Sequence, residues 1–174
     1  MHLCWKSHLL GGGLGKKFES FELEMTKEIK ITIKEFNKKE EMAAAFSLIN
    51  QVRKEMSFET YTSNIEEMIT RNNFKMIAAF NGEKIVGVAG YWISLMLYCG
   101  RYAQVSNFTV DENSRGLGIG KKILDEIEKI AKKEKCEKVV LDSYVENKKS
   151  HPLFFREGFY IRGFHFMKEI DTVS

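Results

Sequence analysis

Along residues 28–170 the spacing of apolar side chains changes period repeatedly, and each change predicts an element. Ile29, Ile31 and Ile33 alternate with polar residues, the period of two that marks a half-buried strand. Over 40–55, Met42, Ala45, Phe46, Ile49 and Val52 fall at three- and four-residue intervals, which predicts an amphipathic helix, and 63–71 continues as a shorter one. Residues 74–80 read as a strand, Asn81-Gly82 as a tight hairpin turn, and 83–93 as the antiparallel return. Residues 94–101 then connect to a further strand over 102–110. The middle of the chain is expected to be an antiparallel meander.

The pattern changes at residues 115–122, which read RGLGIGKK. A strand ending SNFTV runs through the acidic turn DENS into this glycine loop, and a helix is predicted over 121–135. That helix offers Ile123, Leu124, Ile127, Ile130 and Ala131 to a sheet and keeps lysines and glutamates on its other face. A strand over 138–145 follows, so strand, helix and strand form a right-handed crossover whose two strands are parallel. A short helix over 150–157 and closing strands over 159–170 complete the order β-α-α-β-β-β-α-β-α-β-β. With Ser150 as N-cap, Pro152 falls in the first turn, where its missing N–H is harmless, and Asn147 is left in a loop. The fold class is α/β (α+β): a mixed, mostly antiparallel sheet with a central parallel pair and flanking helices.

The 174 residues suffice for one domain, read here as 25–174, behind a flexible N-terminal extension over 1–24. That extension carries GGGLGKK, a near copy of the later loop, but no predicted strand stands before it to aim its amides. A net charge of +3 does not argue for nucleic acid as a partner. Cys4, Cys99 and Cys136 form no C-x-x-C pair, and His2, His8, His151 and His165 lack the i, i+4 spacing of metal ligands, so neither a disulfide framework nor a metal is expected. The cysteine usage suits a reducing cytoplasm. No apolar run approaches the roughly 20 residues of a membrane span, and a membrane partner is not expected.

Two phosphate loops can be tested by spacing. A Walker loop, G-x-x-x-x-G-K-[ST], would place Arg115 at its first glycine and Lys122 at its hydroxyl; a Rossmann fingerprint, G-x-G-x-x-G, would place Lys121 at its third glycine. Both fail, and a nucleotide-binding domain using this loop for ATP is disfavoured with them. The physical capacity remains, because amides of the loop and the first helical turn have no intrahelical partners and point outward with the positive end of the helix dipole. Glycines admit an anion close to the backbone, and Arg115, Lys121 and Lys122 add charge.

The pattern that survives is R-x-x-G-x-G between strand and helix: Arg115, Gly118, Gly120. With it, and with ENKKSHPLFFREGF, in which Asn147, Leu153, Gly158 and Phe159 fall at the positions of N-x-x-A-x-x-F-Y-x-x-x-G-F and Ser150 replaces the alanine, the chain resembles the GNAT superfamily of N-acetyltransferases over nearly all of 28–170. The C-terminal third is similar to small-molecule members such as the aminoalkylphosphonate acetyltransferases. The resemblance implies transfer of acetyl from the co-substrate acetyl-CoA to a primary amine of a small molecule or a peptide N-terminus. It implies that the loop residues Arg115, Gly116, Leu117, Gly118, Ile119, Gly120 and Lys121 hold the pyrophosphate. Backbone groups of Phe108, Thr109 and Val110 would bind the pantetheine arm where the two parallel strands part, with Asn147 and Phe154 flanking it. A homodimer is compatible with the resemblance.

Two positions depart from the family. Many members carry a carboxylate where this chain has Asn107 and a tyrosine proton donor where it has Phe154; asparagine takes no proton at neutral pH and phenylalanine gives none. Asp142, from the neighbouring strand, reads either as an end-of-strand carboxylate held by backbone or solvent, the commoner case, or as a group that attracts or deprotonates an ammonium. Ser143 or Tyr144 are candidate donors, though alternation prevents all three from facing one site. His151 reads as a surface or packing residue. Acceptor recognition is expected from MSFETYTS, where Glu59 would meet a cation and Tyr61 stack on it, and from the hairpin SLMLYCGR. Without an acid and base, the rival reading within the fold is an acyl-CoA-binding sensor or partner module.

Overall fold

The computed structural model describes residues 30–170. The extension over 1–24 with its GGGLGKK, the boundary at Met25, and Cys4, His2, His8 and Ile29 lie outside the described residues. Five strands form one sheet in the order of the chain: β1 (Ile31–Phe36), β2 (Lys75–Asn81), β3 (Lys84–Met96), β4 (Gly100–Val110) and β5 (Lys138–Leu141). The first four pair antiparallel, and β4 pairs with β5 in parallel, as the crossover argument requires. Between β2 and β3 the connection is Gly82-Glu83, one residue later than Asn81-Gly82, because Asn81 is itself paired with Lys84 and Gly82 takes the positive φ of 61°.

Helices cover both faces. On one lie α1 (Lys39–Ala43), α2 (Phe46–Ile49) and α3 (Phe58–Asn72), whose Met42, Ala45, Leu48, Ile49, Tyr61 and Ile65 pack with Phe74, Met76, Val88 and Trp92 of the sheet side. On the other, α4 (Ile119–Lys133) packs Ile119, Ile123, Ile127 and Ala131 against Ile77, Ala79, Val86, Ala89, Ala103 and Val105, and its Leu124 is buried as well. Each isoleucine or leucine so buried contributes about 1.5–3 kcal/mol. The single helix expected over 40–55 is broken: Ala45 N–H bonds Met42 O and Leu48 N–H bonds Ala45 O, three-residue turns that bring both apolar groups onto the sheet. In contrast α3 starts five residues earlier than expected, because Ser57 Oγ accepts the Thr60 amide at 3.1 Å and caps it.

Two glycines let these layers close. A Cβ on Gly87 would stand 2.7 Å from Ile119 Cγ2, and one on Gly90 would fall inside the ring of Phe74. After β4 the chain turns at Asp111, which is 2% exposed and binds Lys84 Nζ at 2.6 Å and the Asn113 amide at 3.2 Å. The Lys84 ammonium, chiefly, holds the Asp111 carboxyl below the ordinary carboxylate range against the opposing effect of burial. A depressed carboxyl stabilises the fold fully above its unfolded pKa of about 4 and loses that contribution as the pH falls through the folded value. Asp111→Asn is therefore expected to cost about 2 kcal/mol, roughly 4–8 °C of Tm at pH 7, and to lower Tm by progressively less as the pH is taken below about 4, which thermal melts across that range check.

The closing strands expected over 159–170 are absent; that segment pairs with no strand. β5 is also shorter than expected, ending at Leu141. Tyr160, Ile161, Phe164, Phe166, Met167 and Ile170 are all exposed, so the alternation that suggested strands has no buried face to serve. No helix among the described residues is long and apolar enough to cross a membrane.

Candidate active site

The pairing of β4 and β5 ends at Val105 and Leu141, while β4 runs on to Val110. Beyond that rung β5 has ended, and residues 106–110 have β3 on one side and no β5 residue on the other. Within this stretch lies a β-bulge: Gly90 pairs with Ser106 and Val88 with Thr109, so two residues, Asn107 and Phe108, stand opposite Ala89. Asn107 takes φ of 50°, a left-handed conformation that asparagine tolerates better than most side chains. Its side chain is exposed and approaches only Ser106 Oγ, at 3.5 Å. The asparagine is thus suited to the backbone geometry of the bulge, which turns main-chain groups out of the ladder at the mouth of the fork. Thr109 is buried and Val110 half-buried.

From Asp111 a 3-10 turn, Glu112–Ser114, leads into the glycine loop. Arg115, Gly116, Leu117 and Gly118 are exposed, whereas Ile119 and Gly120 are buried beneath them. Gly116 and Gly118 have φ of 80° and 71°, and a Cβ on either would meet nothing within 4 Å. No protein neighbour demands these glycines for space. What they supply is a left-handed backbone and an open approach to the N-terminus of α4, where Gly118 is an N-cap without a side-chain bond and the first helical bond runs from Lys122 N–H to Gly118 O. Amides before Lys122 therefore have no intrahelical partner and stand open to an anion. Lys121 does not add free charge there: its Nζ binds Asp125 at 2.8 Å and Glu157 at 2.9 Å, and both carboxylates raise its pKa. Arg115 and Lys122 stand in no ion pair among the described residues.

The second signature folds against this corner. Helix α5 (His151–Arg156) follows Ser150 as N-cap with Pro152 in the first turn, and Asn147 lies in the preceding loop, all as expected. Ser150 has no side-chain cap bond to the helix; its hydroxyl bonds Asn147 Oδ1 at 3.0 Å. Phe154 is buried, edge-on to Phe108 at 5.7 Å and to Phe159 at 6.0 Å between ring centroids. Gly120 completes the junction, since a Cβ there would stand 2.8 Å from Leu153 and 3.3 Å from Phe108. Loop, bulge and second signature are brought together, although they are far apart in sequence.

On the face covered by α1–α3, polar groups gather at the fork. Gln104, 8% exposed and paired with Trp92 on β3, donates Nε2 to Asp142 Oδ2 at 3.2 Å and to Val105 O at 3.3 Å. Asp142 is the first residue past the last rung, and His165 places Nδ1 3.5 Å from its Oδ1. His151 Nε2, at the start of α5, lies 3.2 Å from Ser143 Oγ and 3.1 Å from Tyr144 O in the segment before that helix. Arg53 reaches across from the connection after α2: its Nη2 donates to Tyr144 Oη at 3.3 Å and its guanidinium lies 5.7 Å from the Tyr144 ring centroid. Gln104 had a sequence signal, a polar residue on the buried alternation of YAQV. His165 had none, because its segment reads as a strand.

The acceptor residues expected on α3 separate. Glu59 is exposed in the first turn. Tyr61 is 4% exposed, packs against Phe46 and donates its hydroxyl to Met42 O at 2.8 Å, and burial pushes its pKa up to about 12. Neither its ring nor its hydroxyl is left to stack on an amine; the helix starts earlier than expected and turns position 61 inward. Tyr61→Phe should therefore destabilise the fold by about 1 kcal/mol through loss of one of the two hydrogen bonds to Met42 O, the Ala45 amide keeping the other, read as a loss of denaturation midpoint, with no change in KM for any acceptor.

Among the described residues no cluster of histidine, cysteine, aspartate or glutamate could hold a metal ion. The sheet, its one parallel pair and the glycine loop at the head of α4 define an acetyltransferase fold, and the family model for the GNAT acetyltransferases matches residues 40–159. The chain belongs to the GNAT acetyltransferase family. It is 24% identical over 141 residues, 80% of this chain and 99% of the relative, to the uncharacterized N-acetyltransferase YhdJ of Bacillus subtilis (strain 168). In structure it is similar to an acetyltransferase of Trypanosoma brucei, with a TM-score of 0.66 at 21% identity, covering 81% of this chain and all (100%) of that one. It is also similar to the aminoglycoside N-acetyltransferase AAC(6')-Iy in complex with CoA, with a TM-score of 0.73 at 15% identity, covering 84% of this chain and 99% of that one.

Proposed function

We propose that the protein transfers an acetyl group from acetyl-CoA to a primary amine of a small molecule or a peptide N-terminus. The observation that carries this reading is the exposed glycine loop with unpartnered amides at the head of α4, packed through Gly120 against Phe108 of the unpaired end of β4. Residues 115–121 would hold a diphosphate by main-chain amides, with Arg115 supplying charge. The arm of a coenzyme A thioester would run along the open side of residues 108–110, with Asn147 and Phe154 on its other flank. An outward amide of the bulge would polarise the thioester carbonyl as negative charge develops on its oxygen. Glu59, exposed in the first turn of α3, would attract a cationic acceptor. The solved structure of an aminoglycoside N-acetyltransferase holding CoA supports both the co-substrate and an amine acceptor.

A second reading, an acyl-CoA-binding module with little chemistry, is favoured by the left-handed Asn107 and the buried Phe154, neither of which can move a proton. Titration with acetyl-CoA and with ATP, followed by a thiol-release assay across aminoglycosides, polyamines, aminophosphonates and peptides, separates the two. The first reading expects acetyl-CoA binding, no ATP binding, and turnover with at least one amine class. Binding of acetyl-CoA with no amine acetylated would favour the second, and binding of ATP alone would remove both.

A further inference from the structure

We infer that His165 is the group that takes the proton from the acceptor amine, and that Asp142 and Gln104 are the residues that position it. The inference rests on the acetyl-transfer reading and names the base that reading lacks at position 107. A primary amine is protonated at neutral pH and cannot attack until it loses a proton, so a neutral base must reach it. Asp142 is poorly placed to be that base. Its Oδ2 takes the Gln104 amide at 3.2 Å and its Oδ1 lies 3.5 Å from His165 Nδ1, so each oxygen already has a polar neighbour although both the carboxylate and the imidazole are more than half exposed.

The chain of contacts fixes where His165 stands. Gln104 belongs to β4 and lies in the last paired stretch of β4 and β5; its side chain is buried and spans to Asp142, the first residue beyond the rung Val105–Leu141. A carboxylate at that point has His165, itself more than half exposed, beside it at the end of the β4–β5 pairing, where the thioester of the proposed reaction would lie. With Nδ1 turned to the carboxylate, the ring presents Nε2 outward as the acceptor of a proton. The carboxylate favours the tautomer with its proton on Nδ1, which is the form whose Nε2 lone pair is free.

Written out, one ammonium N–H proton passes to His165 Nε2 and on to solvent. The freed nitrogen lone pair forms the C–N bond to the acetyl carbon, the C–S bond breaks, and a remaining proton of that nitrogen ends on the departing sulfur, giving amide and free thiol.

Two measurements on the full chain test this. Nitrogen-15 correlation spectra of the imidazoles should show the neutral His165 ring protonated at Nδ1, and Asp142→Ala should shift it toward the Nε2–H form. A wild-type ring protonated at Nε2 overturns the inference whether or not the protein is active. In the thiol-release assay, His165→Gln should lower kcat/KM for the acceptor about 10²-fold or more while the Kd for acetyl-CoA stays within twofold, and added imidazole should restore part of the rate to His165→Ala. A His165→Gln variant with wild-type kcat/KM overturns the inference and leaves the acetyl-transfer reading standing. If the wild type binds acetyl-CoA and acetylates no amine, that reading fails and the catalytic assignment fails with it, even where the Nδ1–H tautomer is found.

Discussion

Valine in place of Gly90 is expected to be among the most damaging single substitutions in the chain. The ring of Phe74 occupies the space where a Cβ on Gly90 would stand, and Ser106 Oγ would be 3.3 Å from it. Phe74 is itself buried, in van der Waals reach of Trp92 at 6.4 Å between ring centroids. It cannot swing aside without opening the layer between α3 and the sheet. Overpacking of this kind costs about 3 kcal/mol, against a total stability of about 5–15 kcal/mol for a domain. A fall in Tm of roughly 6–12 °C follows for a chain of this size, with most of the expressed protein insoluble. Gly90→Ala should show about half of that. A Tm within 2 °C or so of wild type for the valine variant would mean that the Phe74 ring is not confined as described.

Gly118→Val is expected to do the reverse: to leave the fold nearly intact and abolish tight binding of acetyl-CoA. Nothing within 4 Å would touch the new Cβ, so its structural penalty is the left-handed φ of 71°, about 1–2 kcal/mol. That predicts a Tm loss of roughly 3–6 °C. The same side chain would stand over the amides that open the helix, where a diphosphate must come within hydrogen-bond distance. Losing charge-assisted bonds worth about 1.5–3 kcal/mol each should raise the Kd for acetyl-CoA about 100-fold, read by calorimetry on the folded variant. Affinity within twofold of wild type would place the diphosphate elsewhere.

Most of the sheet was legible because strand and helix periods differ and because each crossover leaves a local mark. Ile123, Leu124, Ile127 and Ala131 declare one face of α4, and the glycine loop before it declares the turn. The loop itself was readable from R-x-x-G-x-G, since its function lies in main-chain amides and requires little of the side chains around it. What escaped was set by tertiary neighbours. The helix expected over 40–55 broke because Met42, Ala45 and Leu48 reach the sheet better from two short turns than from one straight rod. Tyr61 reads as a polar loop aromatic in isolation, and only the earlier start of α3 turns it into the core. The ending over 159–170 alternates like a strand, yet finds no partner, and His165 beside Asp142 depends on a path that no periodicity encodes.

The bulge at Asn107 carries a counting rule for anyone who edits this chain. Before it, the odd-numbered Ala103 and Val105 face the α4 layer; after it, the even-numbered Phe108 and Val110 do. The extra residue exchanges odd for even, so the last stretch of β4 keeps its apolar groups inside only while the count between Ser106 and Thr109 is preserved. Excising one residue there would turn Phe108 and Val110 toward the wrong layer and hand the glycine loop to the chain in a different orientation, although every remaining residue would still be wild type.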